Sequence, residues 1–158
     1  LGTFGSASYA LGCFLAGTLI TLVDGSVKPI ESVLKSDQLR AFDPISGGIA
    51  ASDILTIHPP RTVSSYLVIN DETRVTATQP MLSRGKWVEA RELRLGDVLT
   101  AGDGTAVTIY DLRVVHESAT VYNLAVASGT YVADGVVVHN KTLPYTIAPC
   151  PTCGPGGP

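Results

Sequence analysis

The chain has 158 residues, of which 45% are hydrophobic and 16% charged, and a net charge of −3; this excludes a disordered chain and suits one domain, or one domain with tails, around a sizeable core. No basic cluster occurs, so neither a nucleic-acid surface nor a polybasic membrane patch is expected. Cysteine is odd in number, with Cys150 and Cys153 in a Pro/Gly-rich tail and Cys13 left over, which is not a disulfide framework.

Residues 1–12 are rich in Gly, Ser and Ala and read as a linker or the end of a preceding domain, and a chain starting on Leu1 reads as a fragment of a longer polypeptide. The apolar run from Leu11 to Val23 is too short to span a bilayer and lacks the basic start and cleavage site of a secretory signal. From Cys13 to Val23 it is expected to form one strand, closed by the Asp24-Gly25 turn. Pro29 to Leu34 follows as a short helical turn, then a strand from Asp37 to Phe42 and a hairpin loop at Asp43-Pro44 and Gly47-Gly48. A strand from Asp53 to His58 ends at Pro59-Pro60. Ser65 to Asn70 and Thr73 to Leu82 come next, then the Arg84-Gly85 turn and Lys86-Trp87-Val88.

The stretch Ala90 to Ala101 then lies over Ile30 to Ala41 without a gap, with Leu93 on Val33, Asp97 on Asp37 and Leu99 on Leu39. After a shorter loop, Asp111 to His116 falls on Asp53 to His58. Two related β subunits in register predict an all-β body with pseudo-twofold symmetry. In this setting Asp37 and Asp97 are repeat-related turn residues, not a catalytic carboxylate pair. Thr120 to Val126 is a further strand, turned by Ala127-Ser128-Gly129 into a hairpin. That hairpin runs from Tyr131 to His139 around Asp134-Gly135, a pair suited to positive φ. Its second arm is a valine run typical of a buried strand. Lys141 to Pro158 is a tail or linker rich in proline and glycine.

The two ends of this body carry chemistry. The Asn140 side-chain amide can attack its own backbone carbonyl, close a succinimide and break the bond to Lys141, given a fixed geometry and a proton donor for the leaving amine; His139 is adjacent. The Cys13 thiolate can attack the carbonyl of Gly12, which glycine leaves sterically open, and turn a planar amide into a thioester. First and last strands lying side by side at the centre of a closed β body would bring Cys13, His139 and Asn140 into one site.

The ordered blocks Cys13-Phe14-x-x-Gly17-Thr18, Val75-Thr76-x-x-x-Pro80, Val121-Tyr122-Asn123-Leu124-x-Val126 and Tyr131-x-x-x-Gly135-Val136-x-Val138-His139-Asn140 resemble the Hint (Hedgehog/intein) superfamily. They are closest to bacterial intein-like domains, mini-inteins without an endonuclease, and the Hint modules of secreted and phage-type proteins. The resemblance implies an all-β Hint fold, a compact horseshoe-like body over residues 13–140, with residues 1–12 and 141–158 as its flanks. It implies single-turnover self-cleavage or splicing, as a monomer, with the flanks as substrate and with no cofactor, metal, nucleic acid or membrane. By position, Cys13 would be the nucleophile of the N-terminal acyl shift and Thr76 would polarise or orient the Gly12–Cys13 amide. His139 would assist cyclisation, and Asn140 would cyclise and release Lys141 onward.

Three departures from the family pattern modify this. Gln79 stands where the Thr-x-x-His motif has its histidine; it can donate a hydrogen bond but not a proton, which predicts a slow or absent Cys13 step. His116 and His58 could substitute only if the fold brings them to the site. Asn123 stands where many inteins carry Asp. Lys141 cannot accept an acyl group and Thr142 is one residue too far, so cleavage rather than splicing is expected. The alternative is a degenerate Hint body kept as a structural or interaction module. Sterol transfer is disfavoured because only a short polar tail follows Asn140. Cys150-Pro151-Thr152-Cys153 resembles half a zinc site and, without a second ligand pair, reads as tail.

Overall fold

The computed structural model describes residues 12–140, and these fold into short β-strands joined by tight turns and 3-10 turns. In chain order the strands are β1 (Phe14–Leu15), β2 (Leu19–Thr21), β3 (Val27–Pro29), β4 (Gln38–Phe42), β5 (Ile49–Ile57), β6 (Arg61–Val63), β7 (Tyr66–Ile69), β8 (Thr73–Val75), β9 (Pro80–Ser83), β10 (Lys86–Glu89), β11 (Val98–Thr100), β12 (Ala106–Thr108), β13 (Leu112–Val115), β14 (Ala119–Tyr122), β15 (Leu124–Val126), β16 (Thr130–Ala133) and β17 (Val136–His139). Two six-stranded sheets carry the architecture, one ordered β13-β7-β8-β1-β14-β6 and the other β10-β9-β17-β16-β2-β3. Together they form a curled half-barrel, with β4, β5 and β15 in a smaller sheet and β11–β12 as a hairpin.

The internal repeat is visible in the hydrogen bonding. Ile30–Ser32 and Ala90–Glu92 are matching 3-10 turns, each following a hairpin, β2–β3 or β9–β10. Asp37 Oδ2 accepts from Leu34 N at 2.8 Å, and Asp97 Oδ2 accepts from Arg94 N at 2.8 Å, so the paired aspartates are turn-closing residues. The carbonyls of Thr18 and Gln79 then receive Ile30 N (2.8 Å) and Ala90 N (2.9 Å), which makes Thr18 and Gln79 equivalent positions of the two halves.

Two stretches expected to be continuous strands, and the unassigned stretch from Thr73 to Leu82, are each broken. The run after Cys13 splits into β1 and β2, in different sheets, at a turn closed by Thr18 N on Leu15 O (3.2 Å) and passing through Gly17 at φ +89°. Glycine adopts that conformation without the Cβ clash that other residues meet. The stretch from Thr73 splits into β8 and β9 around Thr76–Gln79, and Thr120–Val126 splits at Asn123, where β14 leaves the first sheet and β15 pairs with β5. The side-by-side placement of first and last strands is also corrected. β1 lies between β8 and β14 in one sheet, and β17 between β16 and β9 in the other. What joins them is the consecutive pair β8 and β9, one beside each end strand.

The closing hairpin forms as its turn residues dictate, with Asp134 at φ +48° and Gly135 at φ +82°. Its valine arm is buried on both faces. Val136 and Val138 enter the main core with Phe14, Leu39, Met81 and Tyr131, while Val137 packs with Phe42 and Leu82. Thr130, across from His139, clamps this hairpin to β4: its Oγ1 accepts from Phe42 N (3.1 Å) and donates to Phe42 O (2.9 Å). The isosteric change Thr130→Val orphans both buried backbone groups and is expected to lower unfolding free energy by about 2–4 kcal/mol; urea unfolding measures it, and a loss within about 0.5 kcal/mol, the scatter of a neutral surface change, would reject the clamp.

Candidate functional site

The Gly12–Cys13 peptide bond leads into β1, in the middle of the first sheet. Phe14 pairs with Val75 on one side and Tyr122 on the other, so one step back along the registers Cys13 lies between Thr76 and Asn123. Thr76 N donates to Cys13 O at 3.0 Å and Thr76 Oγ1 accepts from Cys13 N at 2.9 Å. The threonine therefore grips the nitrogen side of the Gly12–Cys13 amide. It orients that nitrogen and, in this arrangement, takes its hydrogen rather than supplying one. The Cys13 thiol is 2% exposed, and burial pushes it above the usual thiol range, opposed by the charge and hydrogen bond of Arg61, whose Nη2 lies 3.4 Å from Sγ. The raised thiol is the less reactive form at neutral pH, and its thiolate fraction grows as pH rises.

Gln79 fills the space between the two ends. It is fully buried, and its Nε2 donates to Pro80 O and to His139 O, both at 2.9 Å. Its backbone packs so closely on Gly12 that a Cβ there would lie 2.3 Å from Gln79 Cα and 2.6 Å from Oε1. Oε1 itself has no hydrogen-bond partner among the described residues. One side chain thus touches the residue before Cys13 and the carbonyl before Asn140.

Asn140 is held by the turn before β16. Asn140 N donates to Gly129 O at 3.0 Å. The side-chain orientation that satisfies both amide atoms has Nδ2 donating to Gly129 O at 2.6 Å and Oδ1 accepting from Val126 N at 3.0 Å. An acceptor on the Nδ2 hydrogen and a donor on Oδ1 together ease loss of an Nδ2 proton and place the resulting charge on the oxygen, the change that makes an amide nitrogen nucleophilic. Gly129 has φ +84°, the left-handed conformation that glycine adopts without strain, and it lies against His139 and Asn140. The His139 ring is half-buried and stands edge-to-face on Trp87, centroids 4.7 Å apart.

The fold therefore links Cys13 with Thr76, Gly12 with Gln79, and Gln79 with His139, beside Asn140. Asn123 is buried opposite Cys13, and neither of its amide atoms has a hydrogen-bond partner among the described residues. His116 is exposed just past β13, and no hydrogen bond joins it to these residues. His58 receives a different use: its backbone N donates to Asn123 O at 3.1 Å. Arg61, Trp87 and Gly129 were not marked as site residues by the sequence, since none sits in a spacing that announces its partner, and Val126 was marked only as part of a motif block; Arg61 carries only the signal of a charge following Pro59-Pro60. Lys141, Thr142, Cys150 and Cys153 lie outside the described residues. Among the described residues no cluster of three His, Cys, Asp or Glu side chains could hold a metal, and no helix is long and apolar enough to cross a membrane.

The family described as the pretoxin Hint domain matches residues 19–141. Among solved structures, the bacterial intein-like domain from Clostridium thermocellum is similar with a TM-score of 0.74 and 27% identity, over 81% of this chain and 98% of that one. A DnaB intein from Synechocystis superposes with a TM-score of 0.71 at 18% identity, over 82% of this chain and 99% of the intein. No curated protein matches the sequence.

Proposed function

This chain belongs to the pretoxin Hint family, whose fold is that of self-processing domains, and we propose that it cuts its own backbone after Asn140. Residues 13–140 are the processing domain, and residues 1–12 and 141–158 are the flanks it acts on. The reaction is intramolecular. The Asn140 Nδ2–C bond forms on its own carbonyl carbon and the bond from that carbon to Lys141 N breaks. The proton lost from Nδ2 is made up on the departing amine, with His139 as the adjacent carrier.

The observation that carries this proposal is the double hold on the Asn140 amide by Gly129 O and Val126 N. It fixes the nucleophile's rotamer and polarises it in the productive sense. The donation from Gln79 Nε2 to His139 O steadies the peptide unit through which Asn140 is attached. The Cys13 step is the slower one, for three reasons. The thiol is buried and raised, Thr76 accepts the junction's N–H instead of protonating its nitrogen, and Gln79 has no acidic proton. Lys141 offers no acceptor for a transferred acyl group, so cleavage, not splicing, is the outcome.

Gln79 also favours a second reading, a Hint body that no longer cuts and serves as a scaffold. Intact mass of the purified full chain separates the two. Time-dependent loss of residues 141–158, leaving a C-terminal succinimide or its hydrolysis product, supports cleavage; an unchanged mass over days from weakly acid to weakly alkaline pH favours the scaffold.

A further inference from the structure

The first sheet brings a cation to the thiol, and it comes from a strand that no motif of the chain contains. β6 pairs with β14 so that Arg61 is opposite Val121, and β14 pairs with β1 so that Val121 is opposite Leu15. Side chains directly opposite one another share a face of the sheet. Cys13, Leu15 and Val121 accordingly form one small buried cluster, and Arg61 reaches along that face to put Nη2 3.4 Å from Sγ. Arg61 and Thr76 also line an open cleft of about 360 Å³ with Thr62, Ser64, Ala77 and Thr78, so solvent reaches the guanidinium while Cys13 stays covered.

We propose that Arg61 is the catalytic cation of the N-terminal junction, stabilising Cys13 Sγ as it ionises to the thiolate that attacks Gly12. The proposal rests on the N-terminal half of the function put forward above. In the step, Sγ bonds to the Gly12 carbonyl carbon and the bond from that carbon to Cys13 N breaks. The thiol's proton ends on the new Cys13 amine, and Arg61 stays protonated throughout. The geometry suits this. The guanidinium charge acts on the thiol in the lowering sense, whereas Tyr131 on β16 is buried and neutral, and its phenol is itself pushed up in part by Cys13. Tyr66 on β7 packs against the same cluster with its hydroxyl turned to Glu117 at 3.3 Å. Burial opposes ionisation of Cys13, and a fixed cation in contact with the sulfur is the lever that offsets part of it.

The test uses the full chain with Arg61→Gln and Arg61→Lys, circular dichroism and melting confirming the fold of each. Alkylation of Cys13 is followed against pH by mass spectrometry of its own peptide, which keeps Cys150 and Cys153 apart. Thiol-induced release of residues 1–12 is followed on the same samples. Arg61→Gln is expected to move the alkylation midpoint upward by about one pH unit and slow release about tenfold at weakly alkaline pH, the effect of removing one opposite charge in contact. Arg61→Lys, which keeps the charge, should recover much of both. A folded Arg61→Gln chain with an unmoved midpoint overturns the proposal. If the unaltered chain releases nothing while the midpoint still moves, the N-terminal cleavage has failed and Arg61 is a thiolate-holding residue only, which also overturns its catalytic assignment.

Discussion

With alanine at position 140, residues 141–158 are expected to stay attached under every condition in which the unaltered chain sheds them. Asn140→Ala removes the only atom able to close the five-membered ring, so the loss is complete rather than partial. Unfolding is not the cause. The Asn140 backbone N–H still donates to Gly129 O at 3.0 Å, leaving Val126 N as the single donor without its partner. That corresponds to about 1–2 kcal/mol, too little to unfold a body built on a core of this extent. Asn140→Asp is the sharper comparison. It keeps the shape, but an ionised carboxylate sets an acceptor against Gly129 O, where the amide donates, and has no proton to hand on. Release should fall by about 10²-fold or more, the scale of a misdirected and unpolarised nucleophile. The measurement is intact mass over time at fixed pH, beside a melting curve. Release from folded Asn140→Ala at the unaltered rate would mean that the bond is broken by some other group, and Asn140 would lose its role.

The fold was legible because its signals are local. The repeat of Ile30–Ala41 in Ala90–Ala101 reports two matching turns closed by Asp37 and Asp97, and the Asp134-Gly135 pair reports a hairpin. What the sequence concealed is where strands change sheets. An apolar strand and two half-strands in different sheets have the same composition, so Cys13–Val23 and Thr120–Val126 read as continuous. Their breaks fall at residues 16–18, on the far side of β1 from Cys13, and at Asn123, and a third falls at Thr76–Gln79. Thr76, Gln79 and Asn123 thus occupy places where the ladder is interrupted, which frees backbone and side-chain polar groups for other contacts. The motif residues were visible as types, but their partners were not. Arg61 meets Cys13 across 48 positions of sequence, and Gln79 meets His139 across 60. No periodicity encodes such pairings; the first exists only once β14 and β6 have been laid beside β1, the second only once β9 lies against β17.

Gln79 is where the two junctions are expected to respond in opposite directions. Its Nε2 has two hydrogens and serves two carbonyls, Pro80 O and His139 O, while Oε1 faces Gly12 without a partner among the described residues. A histidine there can place at most one N–H per ring nitrogen and cannot serve both carbonyls from one atom. Gln79→His therefore leaves one buried carbonyl without its donor, a loss of about 1–3 kcal/mol. If the carbonyl it loses is that of His139, release of residues 141–158 slows. Next to Gly12 the same ring brings what the glutamine lacks, a proton available near neutrality for the departing Cys13 nitrogen. General acid catalysis of this kind contributes about 10²–10⁴-fold. Thiol-induced release of residues 1–12 should accelerate by a factor in that range, and its pH profile should change form. In the unaltered chain the rate rises with pH as the buried thiol ionises. In the Gln79→His chain it should rise and then fall, because the imidazolium that donates the proton is lost as pH passes its pKa while the thiolate is gained. Gln79→Leu separates hydrogen bonding from proton supply. It strips both carbonyls, should lower unfolding free energy by about 2–4 kcal/mol, and should slow both junctions. The decisive observation is the pair of rates in one sample of Gln79→His. If the N-terminal rate stays flat, proton supply at this position does not limit the acyl shift, and the burial of Cys13 alone accounts for its slowness.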